Sequence, residues 1–304
     1  MKTVFVVILN FNGGKNTIEC LESLGEVSRR NFDLRIVVVD NGSSDDSVEE
    51  IRKKFENIVI IENLGNLGFT GGSNEGIRYA LSGGADYILL LNNDTIVDSD
   101  LVENLFKTGF SDANIGGVVP KIYFEKGYEF HRKRYKKEDL GKVIWYAGGI
   151  MDWENLIGKN RGVDQVDHGQ FGKSEETELS TGCCFLVKCQ VFKKIGLFDN
   201  NYYLYYEDAD LSQRIKKAGF KIVYEPKAIL WHKNAESSGG SGSDLQDYYI
   251  TRNRLLFGMT YAPFRTKIAL FRESLSILKS GRHWQKKGVL DFYFRELGRG
   301  SFRI

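Results

Sequence analysis

Apolar runs without polar alternation recur over the first 95 positions, separated by segments whose apolar residues have helical spacing. Such runs are typical of strands buried on both faces of a parallel sheet. Four strands are predicted, at residues 3–9, 34–39, 58–62 and 87–91. Helical spacing between them, as at Ile18, Leu21 and Leu24, predicts connecting helices. This order predicts an α/β fold with a doubly wound, mostly parallel sheet.

The pattern is less regular in the middle of the chain. Further strands are predicted at residues 118–124, 183–188 and 221–226, with short antiparallel strands after Tyr146. Residues 125–142 are charged and aromatic, which predicts an exposed loop or insertion.

The last quarter of the chain changes character. Residues 228–233 are expected to lead out of the core, and the Gly- and Ser-rich residues 235–244 are expected to form a flexible linker. From about Tyr248 onward, helical patterns dominate.

Polar residues follow the predicted strands at the carboxyl ends of the parallel sheet. Asp40 follows the second strand, the Gly- and Asn-rich loop 63–76 follows the third, and residues 92–94 (Asn-Asn-Asp) follow the fourth. Doubly wound sheets bind ligands beyond these ends, which predicts the site there. The loop has neither P-loop nor GxGxxG spacing, which excludes those two nucleotide motifs. Its glycines either let a nucleotide approach the backbone or pack the loop against its helix.

An acidic cluster, Glu207-Asp208-Ala209-Asp210, follows a segment with four tyrosines in five positions. Aromatic neighbours lower the local dielectric, and a carboxylate there has the raised pKa that suits a general base. The alternative is that these acids stabilise a helix N-terminus, an equally good explanation for Asp210.

Two further features point to a cation or to simple structure. An Asp after two Asn residues, at positions 92–94, suits a hard cation held together with substrate phosphates, but the same triplet forms Asx turns. His232 follows a predicted strand and is either a metal ligand or a structural residue.

Composition narrows the class of protein. The 304 residues are 42% hydrophobic and 27% charged, which is typical of a folded globular chain. No apolar run approaches the roughly 18 residues of a membrane span, and the N-terminus lacks a signal cleavage site. The expected compartment is the cytoplasm. The four cysteines lack metal-ligand spacing, which predicts buried, reduced thiols.

The net charge of +2 hides an asymmetry. Residues 251–304 contain twelve Lys and Arg but three acids, so this tail is strongly basic and the body is acidic. A basic tail predicts an anionic partner: a membrane surface, a lipid phosphate or nucleic acid. No nucleic-acid-binding module is recognisable, so nucleic acid is not expected. Apolar residues in the tail also permit packing on the rest of the chain or on a second subunit, as a homodimer.

Seven motifs occur in an order that resembles the family 2 glycosyltransferases, and most closely their rhamnosyltransferase-like branch. They are VVILNFNG, IVVVDNGSSDDS, NLGFTGGSNEGI, YILLLNNDTIV, STGCCFLVKCQVFKKIGLFD, YLYYEDADLSQRIKKAGF and WHK. The resemblance covers about residues 3–235, and the segment 248–256 extends it.

This resemblance implies a GT-A fold, in which a Rossmann-like nucleotide-binding part at about 1–117 joins an acceptor part at about 118–235. Residues 236–304 would then be a flexible loop and a basic helical region. The implied function is inverting transfer of a sugar from a UDP- or dTDP-linked donor to a hydroxyl of a glycan or lipid-linked acceptor, in cell-surface polysaccharide synthesis. Such acceptors lie at the inner face of the membrane. The alternative is a nucleotide-sugar-binding protein without transferase activity.

The resemblance also implies site residues. The nucleotide-sugar site would contain Asn10, Asn12, Asp40, Asn41, Gly42, Asn66, Gly68, Asn74, Asn92 and Asn93. Asp94 and His232 would hold Mg²⁺ or Mn²⁺, although Asn92 replaces the first Asp of the DxD motif and weakens the metal site. Gly182 and Cys183 would lie on the acceptor side. Asp208 would be the catalytic base, and Glu207 would position the donor or acceptor.

Overall fold

A mixed sheet of ten strands forms the centre of the molecule. The computed structural model describes residues 1–233 and 242–302, so most of the segment predicted as a linker lies outside the described residues. The strands are β1 (Lys2–Asn10), β2 (Phe32–Asp40), β3 (Val59–Glu62), β4 (Tyr87–Asn92), β5 (Thr95–Val97), β6 (Ile115–Phe124), β7 (Ile144–Tyr146), β8 (Gly149–Asp152), β9 (Ile157–Asn160), β10 (Glu175–Glu176), β11 (Cys184–Lys188) and β12 (Lys221–His232).

Helices cover the faces of the sheet and form the C-terminal region. They are α1 (Gly14–Gly25), α2 (Ser47–Lys54), α3 (Gly68–Ser82), α4 (Leu101–Ser111), α5 (Cys189–Ile195), α6 (Glu207–Lys217), α7 (Asp244–Tyr261), α8 (Phe264–Ser280) and α9 (His283–Phe294). A 3₁₀ turn at Arg132–Arg134 is the regular structure found within the loop predicted at 125–142. Among the helices of the described residues, none combines the length and apolar character that a bilayer crossing requires.

The first four strands are parallel and lie in the order β3-β2-β1-β4, which confirms the predicted Rossmann-like half. Val4, Val6 and Ile8 of β1 are fully buried, as the apolar run predicts. Asn10 and Asp40 are partners in the β1–β2 register. The carboxyl edge of the sheet therefore brings these two polar residues side by side.

The second half continues the same sheet, so one core runs through both predicted parts of the domain. Beyond β4 the order is β11, β6, β12 and β10, with β11 antiparallel to both of its neighbours. The strand predicted at residues 221–226 is present, but the prediction that residues 228–233 lead out of the core was wrong. Strand β12 continues in the sheet as far as His232. Its register shifts between Glu225 and Ile229, around Pro226, which has no N–H to donate to the ladder.

The C-terminal helices pack against the second half of the domain through a second apolar cluster. Buried members of this cluster come from both regions: Leu156 and Leu179 from the second half of the domain, and Leu255, Phe257 and Leu270 from α7 and α8. The predicted helical tail is confirmed, and part of its apolar surface is used for packing. The four cysteines are free and buried, also as predicted.

Candidate active site

A hydrogen-bond network joins the carboxyl ends of β1, β2 and β4. The Asn10 amide donates to an Asp40 carboxylate oxygen at 2.8 Å, and its own oxygen accepts from the Thr17 hydroxyl at 2.7 Å. The Asn93 amide donates to the same hydroxyl at 3.0 Å. Thr17, a buried residue of α1 that sequence reasoning missed, thus joins Asn10 to Asn93, and Asn10 in turn holds Asp40. The one sequence signal for this role is a threonine one turn into the helix, on the side that faces the sheet.

Asp40 shapes the turn that follows β2. Its carboxylate accepts from the backbone N–H groups of Gly42 and Ser43, at 3.2 and 2.9 Å, and from the Ser43 hydroxyl at 2.6 Å. With the bond from Asn10, these contacts use about all four acceptor positions of a carboxylate. Gly42 has φ +79°, and a Cβ there would lie 2.6 Å from Cα of Gly65. A direct contact between Asp40 and a nucleoside therefore stays a prediction.

Asn41 fixes the Gly- and Asn-rich loop. Its amide donates to the side-chain oxygen of Asn66 and the carbonyl of Gly68, both at 3.0 Å, and its oxygen accepts from the Leu67 N–H at 3.1 Å. Gly68 has φ +73°, and a Cβ there would lie 2.5 Å from the ring of Tyr203. The missing side chain of Gly68 makes room for this ring, and contact between its backbone and a nucleotide stays a prediction.

Two other predicted nucleotide residues have structural partners. The buried Asn74 amide donates to the Phe198 carbonyl at 3.0 Å and to the Asn200 side chain at 2.8 Å. Asn12 lies at the exposed rim with φ +49°, and its side chain accepts from the Ser44 N–H at 2.8 Å. Asn74 therefore links α3 to the segment that precedes the tyrosines, and nucleotide contact by either residue stays a prediction.

Asp94 and His232 form a buried ion pair. The pairing of β5 with β12 sets Thr95 opposite His232, and Nε2 of the imidazole lies 3.1 Å from Oδ1 of Asp94. Burial alone would lower the pKa of His232, but the Cys183 thiol and the Asp94 carboxylate outweigh it and raise the pKa to about 10. Burial alone would raise the pKa of Asp94, but the charge of His232 holds it below its usual value.

The pair has unused capacity for a ligand. Oδ1 of Asp94 and Nδ1 of His232 are buried, and neither atom has a hydrogen-bond partner among the described residues. Within residues 1–233 and 242–302, no three His, Cys, Asp or Glu side chains cluster as a metal site. The protein would supply two ligands at most, which fits Mg²⁺ or Mn²⁺ completed by substrate phosphates and water. Asp94 is the better ligand, because His232 must first lose a proton.

The tyrosine loop, residues 202–206, leads into the acidic cluster in an unusual backbone conformation. Tyr203, Tyr205 and Tyr206 all have φ between +66° and +70°. Such left-handed non-glycine residues cost on the order of 1 kcal/mol or more each and persist only when the surroundings impose them. Helix α6 begins directly afterwards at Glu207, so this loop sets the direction of the acidic residues.

The three acids of the cluster have different surroundings. Asp210 accepts from Arg214 and from the Tyr261 hydroxyl, both at 2.7 Å, which assigns it to structure. Asp208 accepts from its neighbour's N–H at 2.7 Å and from the Gly182 N–H at 3.4 Å. Glu207 is buried, and its Oε2 has no hydrogen-bond partner. No side chain forms a hydrogen bond at the N-cap position of α6, but all three acids lie in its first turn, where negative charge also stabilises a helix.

Burial raises the pKa of Asp208 and raises the pKa of Glu207 well above its usual value, with the negative charge of Asp208 adding to the second shift. Two adjacent buried carboxyl groups do not ionise together easily. The proton is therefore held more firmly by Glu207, while Asp208 is the first of the two to become a carboxylate.

A cavity of about 720 Å³ opens beside Asp208. One wall comes from the second half of the domain, with Trp145, Asn160 and Thr181. The opposite wall comes from α7 and α8, with Ile250, Arg254, Leu270, Ser274 and Ile277. The division into a domain and a separate tail gave no hint of this wall, because residues 250 and 160 meet only through tertiary packing.

Arg252 and Asn253 of α7 hold the tyrosine loop in place. The Asn253 amide nitrogen lies 2.7–2.8 Å from the carbonyl oxygens of residues 202, 204 and 205. Arg252 donates to the carbonyls of Asn201 and Tyr202, at 3.2 and 2.9 Å. Both side chains are fully buried. The motif 248–256 extends the family resemblance, but nothing in its spacing identifies these contacts.

Comparison with known proteins gives a consistent picture. The model of "Glycosyl transferase family 2" matches residues 5–196. The chain is 25% identical over 254 residues to the low-salt glycan biosynthesis hexosyltransferase Agl10 of Haloferax volcanii, covering 83% of this chain and 74% of the relative. It is also 25% identical over 243 residues to the N-acetylglucosaminyl-diphospho-decaprenol L-rhamnosyltransferase of Mycobacterium tuberculosis, covering 77% of each chain.

Solved structures share the fold. A mannosyltransferase from Pyrobaculum calidifontis in complex with GDP-Man and Mn²⁺ superposes with a TM-score of 0.57 at 15% identity, over 99% of this chain and 76% of that one. GalNAc-T7 with UDP, GalNAc and Mn²⁺ superposes with a TM-score of 0.63 at 17% identity, over 97% of this chain and 58% of that one. At these identities the similarity supports the fold alone.

We expect Asn253→Ala to lower the free energy of unfolding by roughly 3 kcal/mol, because it leaves buried carbonyl oxygens without a donor. The matched control is Asn104→Ala, which removes one exposed bond, to the Lys227 carbonyl at 2.8 Å, and should cost less than about 1 kcal/mol. Chemical denaturation measures both. Equal losses in the two variants would contradict the role assigned to Asn253.

Proposed function

The chain belongs to glycosyl transferase family 2 and is a glycosyltransferase with a GT-A fold, and on that premise we propose the reaction that it performs. It moves a hexosyl or rhamnosyl group, with inversion, from a UDP- or dTDP-linked donor to a hydroxyl of a glycan or lipid-linked acceptor. The observation that carries this proposal is Asp208, a carboxylate of raised pKa that lines a cavity of about 720 Å³.

The donor nucleotide binds along the edge formed by β1, β2 and β4. The proposed contacts are Asn10, Asn12, Asn41, Gly42, Asn66, Gly68, Asn92 and Asn93. Asp40 and Asn74 belong to the same proposed set, and they also hold the turn after β2 and the segment before the tyrosine loop. Because Gly42 and Gly68 have no side chain, the turn after β2 lies close to Gly65 and the ring of Tyr203 lies close to Gly68, which supports an enclosed nucleoside site between these segments.

Asp94, with His232, holds Mg²⁺ or Mn²⁺ at the donor diphosphate. When bound, such a cation offsets the negative charge that gathers on the leaving diphosphate. The lowered pKa of Asp94 keeps this carboxylate ionised and ready to bind a cation, whereas His232 becomes a ligand only after it loses its proton. The two solved structures of similar fold that contain Mn²⁺ support the use of a divalent cation.

Asp208 removes the proton of the acceptor hydroxyl as that hydroxyl attacks the anomeric carbon. Attack from the cavity side, opposite the diphosphate, inverts the configuration and needs one base but no covalent enzyme nucleophile. Glu207, which retains its proton more firmly, orients the reacting groups by hydrogen bonding. The N–H of Gly182 steadies Asp208, which gives that glycine its place on the acceptor side.

The acceptor enters the cavity walled by α7 and α8, whose lining is partly apolar and partly polar. Such a lining suits an amphiphilic acceptor, and the relative from Mycobacterium tuberculosis has a diphospho-decaprenol acceptor in its name. A lipid-linked glycan of cell-surface polysaccharide synthesis is therefore the proposed class.

Asn92, at the first position of the DxD motif, favours a second candidate: a nucleotide-sugar-binding protein without turnover. A calorimetric screen of UDP-, dTDP- and GDP-sugars with and without Mg²⁺ or Mn²⁺ identifies the donor, and product analysis with each bound donor separates the two candidates. Binding without transfer to any sugar-bearing acceptor lipid would support the second candidate.

We expect Asp208→Asn to reduce turnover by roughly 10²–10⁴-fold with donor binding nearly unchanged, because the amide cannot accept the proton. Glu207→Gln is the matched variant. Since Glu207 already holds its proton, the amide mimics it, and turnover should fall by less than about tenfold. Steady-state kinetics and calorimetry measure the two effects. A larger loss in Glu207→Gln than in Asp208→Asn would exchange the two roles.

The pH profile of kcat/KM should rise through the raised pKa of Asp208. A base works when it is deprotonated, so a pKa raised by burial shifts the loss of activity on acidification to higher pH than for an ordinary Asp, near 4. The residual activity of Asp208→Asn should lack this limb. An acid limb at or below about pH 4 would oppose the assignment.

Chelation should abolish turnover, and Mg²⁺ or Mn²⁺ should restore it. Asp94→Asn should raise the cation concentration needed for half-maximal activity by at least about tenfold, because the main protein ligand is lost. Asp98→Asn, a change in the nearby turn where Asp98 accepts from the Asp100 N–H, is the control and should leave this concentration unchanged. Full activity in the presence of chelator would refute the cation site.

A further inference from the structure

Helix α8 has two apolar faces. Its inner face, with Leu270 and Ile277, lines the cavity. Its outer face carries Phe264, Ile268, Phe271 and Leu275, spaced by four, three and four residues, so that they form one stripe along the helix. All four are exposed, Phe264 by 77% and Phe271 by 49%. Core packing therefore explains the inner face and leaves the outer stripe without a partner among the described residues.

Cations border this outer stripe. Arg265, Arg272 and Lys279 recur every seven residues and lie along one side of it, and Lys267 lies on the other side. The acid of α8, Glu273, is turned toward the cavity and pairs with Arg254 at 2.7 Å. The outer face of α8 is therefore apolar along its centre and positively charged along its edges.

We propose that the outer stripe of α8 docks on an anionic lipid bilayer, with the helix lying in the plane of the surface. Aromatic and aliphatic residues on one face with flanking Arg and Lys are the composition of interfacial helices. Each basic residue near an anionic surface adds to the attraction. Two copies of this stripe facing each other would oppose cation to cation, so charge complementarity favours the bilayer over a homodimer.

Docking would also place the cavity close to the lipid surface, because only helix α8 would lie between them. This consequence rests on the proposed function, but docking itself does not. Flotation with vesicles therefore tests docking without any sugar donor, and an inactive protein would still be expected to float.

The experiment uses the full chain with vesicles of phosphatidylcholine alone or with about one third phosphatidylglycerol. We expect binding to the anionic vesicles that weakens as salt is raised, and little binding to the neutral ones. The double variants Phe264→Ser/Phe271→Ser and Arg265→Gln/Arg272→Gln should each weaken binding by about tenfold or more. Deleting the tail is unsuitable, since it would remove Asn253 from the tyrosine loop.

Phe110→Ser is the matched control, since Phe110 is a 60% exposed phenylalanine on α4. It should bind vesicles like the unchanged chain, and thermal melting checks that each variant is folded. Absence of binding to anionic vesicles at low salt, or equal weakening by the Phe110 change, would overturn the proposal. Sedimentation provides a further test. A dimer that dissociates in Phe264→Ser/Phe271→Ser would assign the stripe to a second copy and also overturn it.

Discussion

The conformation of the tyrosine loop depends on donors supplied from outside it, by Arg252 and Asn253 of α7. Three left-handed tyrosines are unfavourable on their own. Turning their peptide groups also exposes carbonyl oxygens that need partners in a buried setting. One amide and one guanidinium meet that need at residues 201, 202, 204 and 205, and the backbone N–H of Thr70 meets it at Tyr203. The direction in which α6 begins, and with it the orientation of Glu207 and Asp208, follows from this contact.

The same contact connects the two ends of the proposed site. Tyr203 stacks on Tyr249 of α7 with ring centroids 5.1 Å apart, and its hydroxyl lies 3.2 Å from the Asn66 side-chain oxygen in the Gly- and Asn-rich loop. Its ring occupies the space that a side chain at position 68 would need. The position of the Gly- and Asn-rich loop and the position of the acidic pair thus depend on one aromatic side chain. The charge of Arg252 itself is met by carbonyl oxygens and by the faces of Tyr248 and Tyr249, at 5.3 and 5.0 Å.

Local pattern was sufficient to predict the sheet, because strands buried on both faces need continuous apolar runs, and to predict that Asp40 and Asn93 share its carboxyl edge. The family resemblance added Asn10 to this edge. It was insufficient where tertiary contacts decide. Residues 228–232 were expected to leave the core, yet they resume the ladder after Pro226 because β5 and β6 offer partners. Thr17, Asn253 and the cavity wall from α8 were missed for the same reason. Their roles depend on residues many positions away, and no spacing along the chain encodes such contacts.

Electrostatics separates the two aspartates that the proposed reaction uses. Burial raises the pKa of any carboxyl group, so burial alone would make Asp94 and Asp208 alike. The neighbour decides the difference: the imidazolium of His232 reverses the shift at Asp94, whereas the backbone N–H donors around Asp208 only moderate the rise. Asp94 is thereby suited to hold positive charge, and Asp208 to accept a proton. Because Asp94 follows β4 and Asp208 lies in the first turn of α6, each can keep its own surroundings although the proposed reaction uses both.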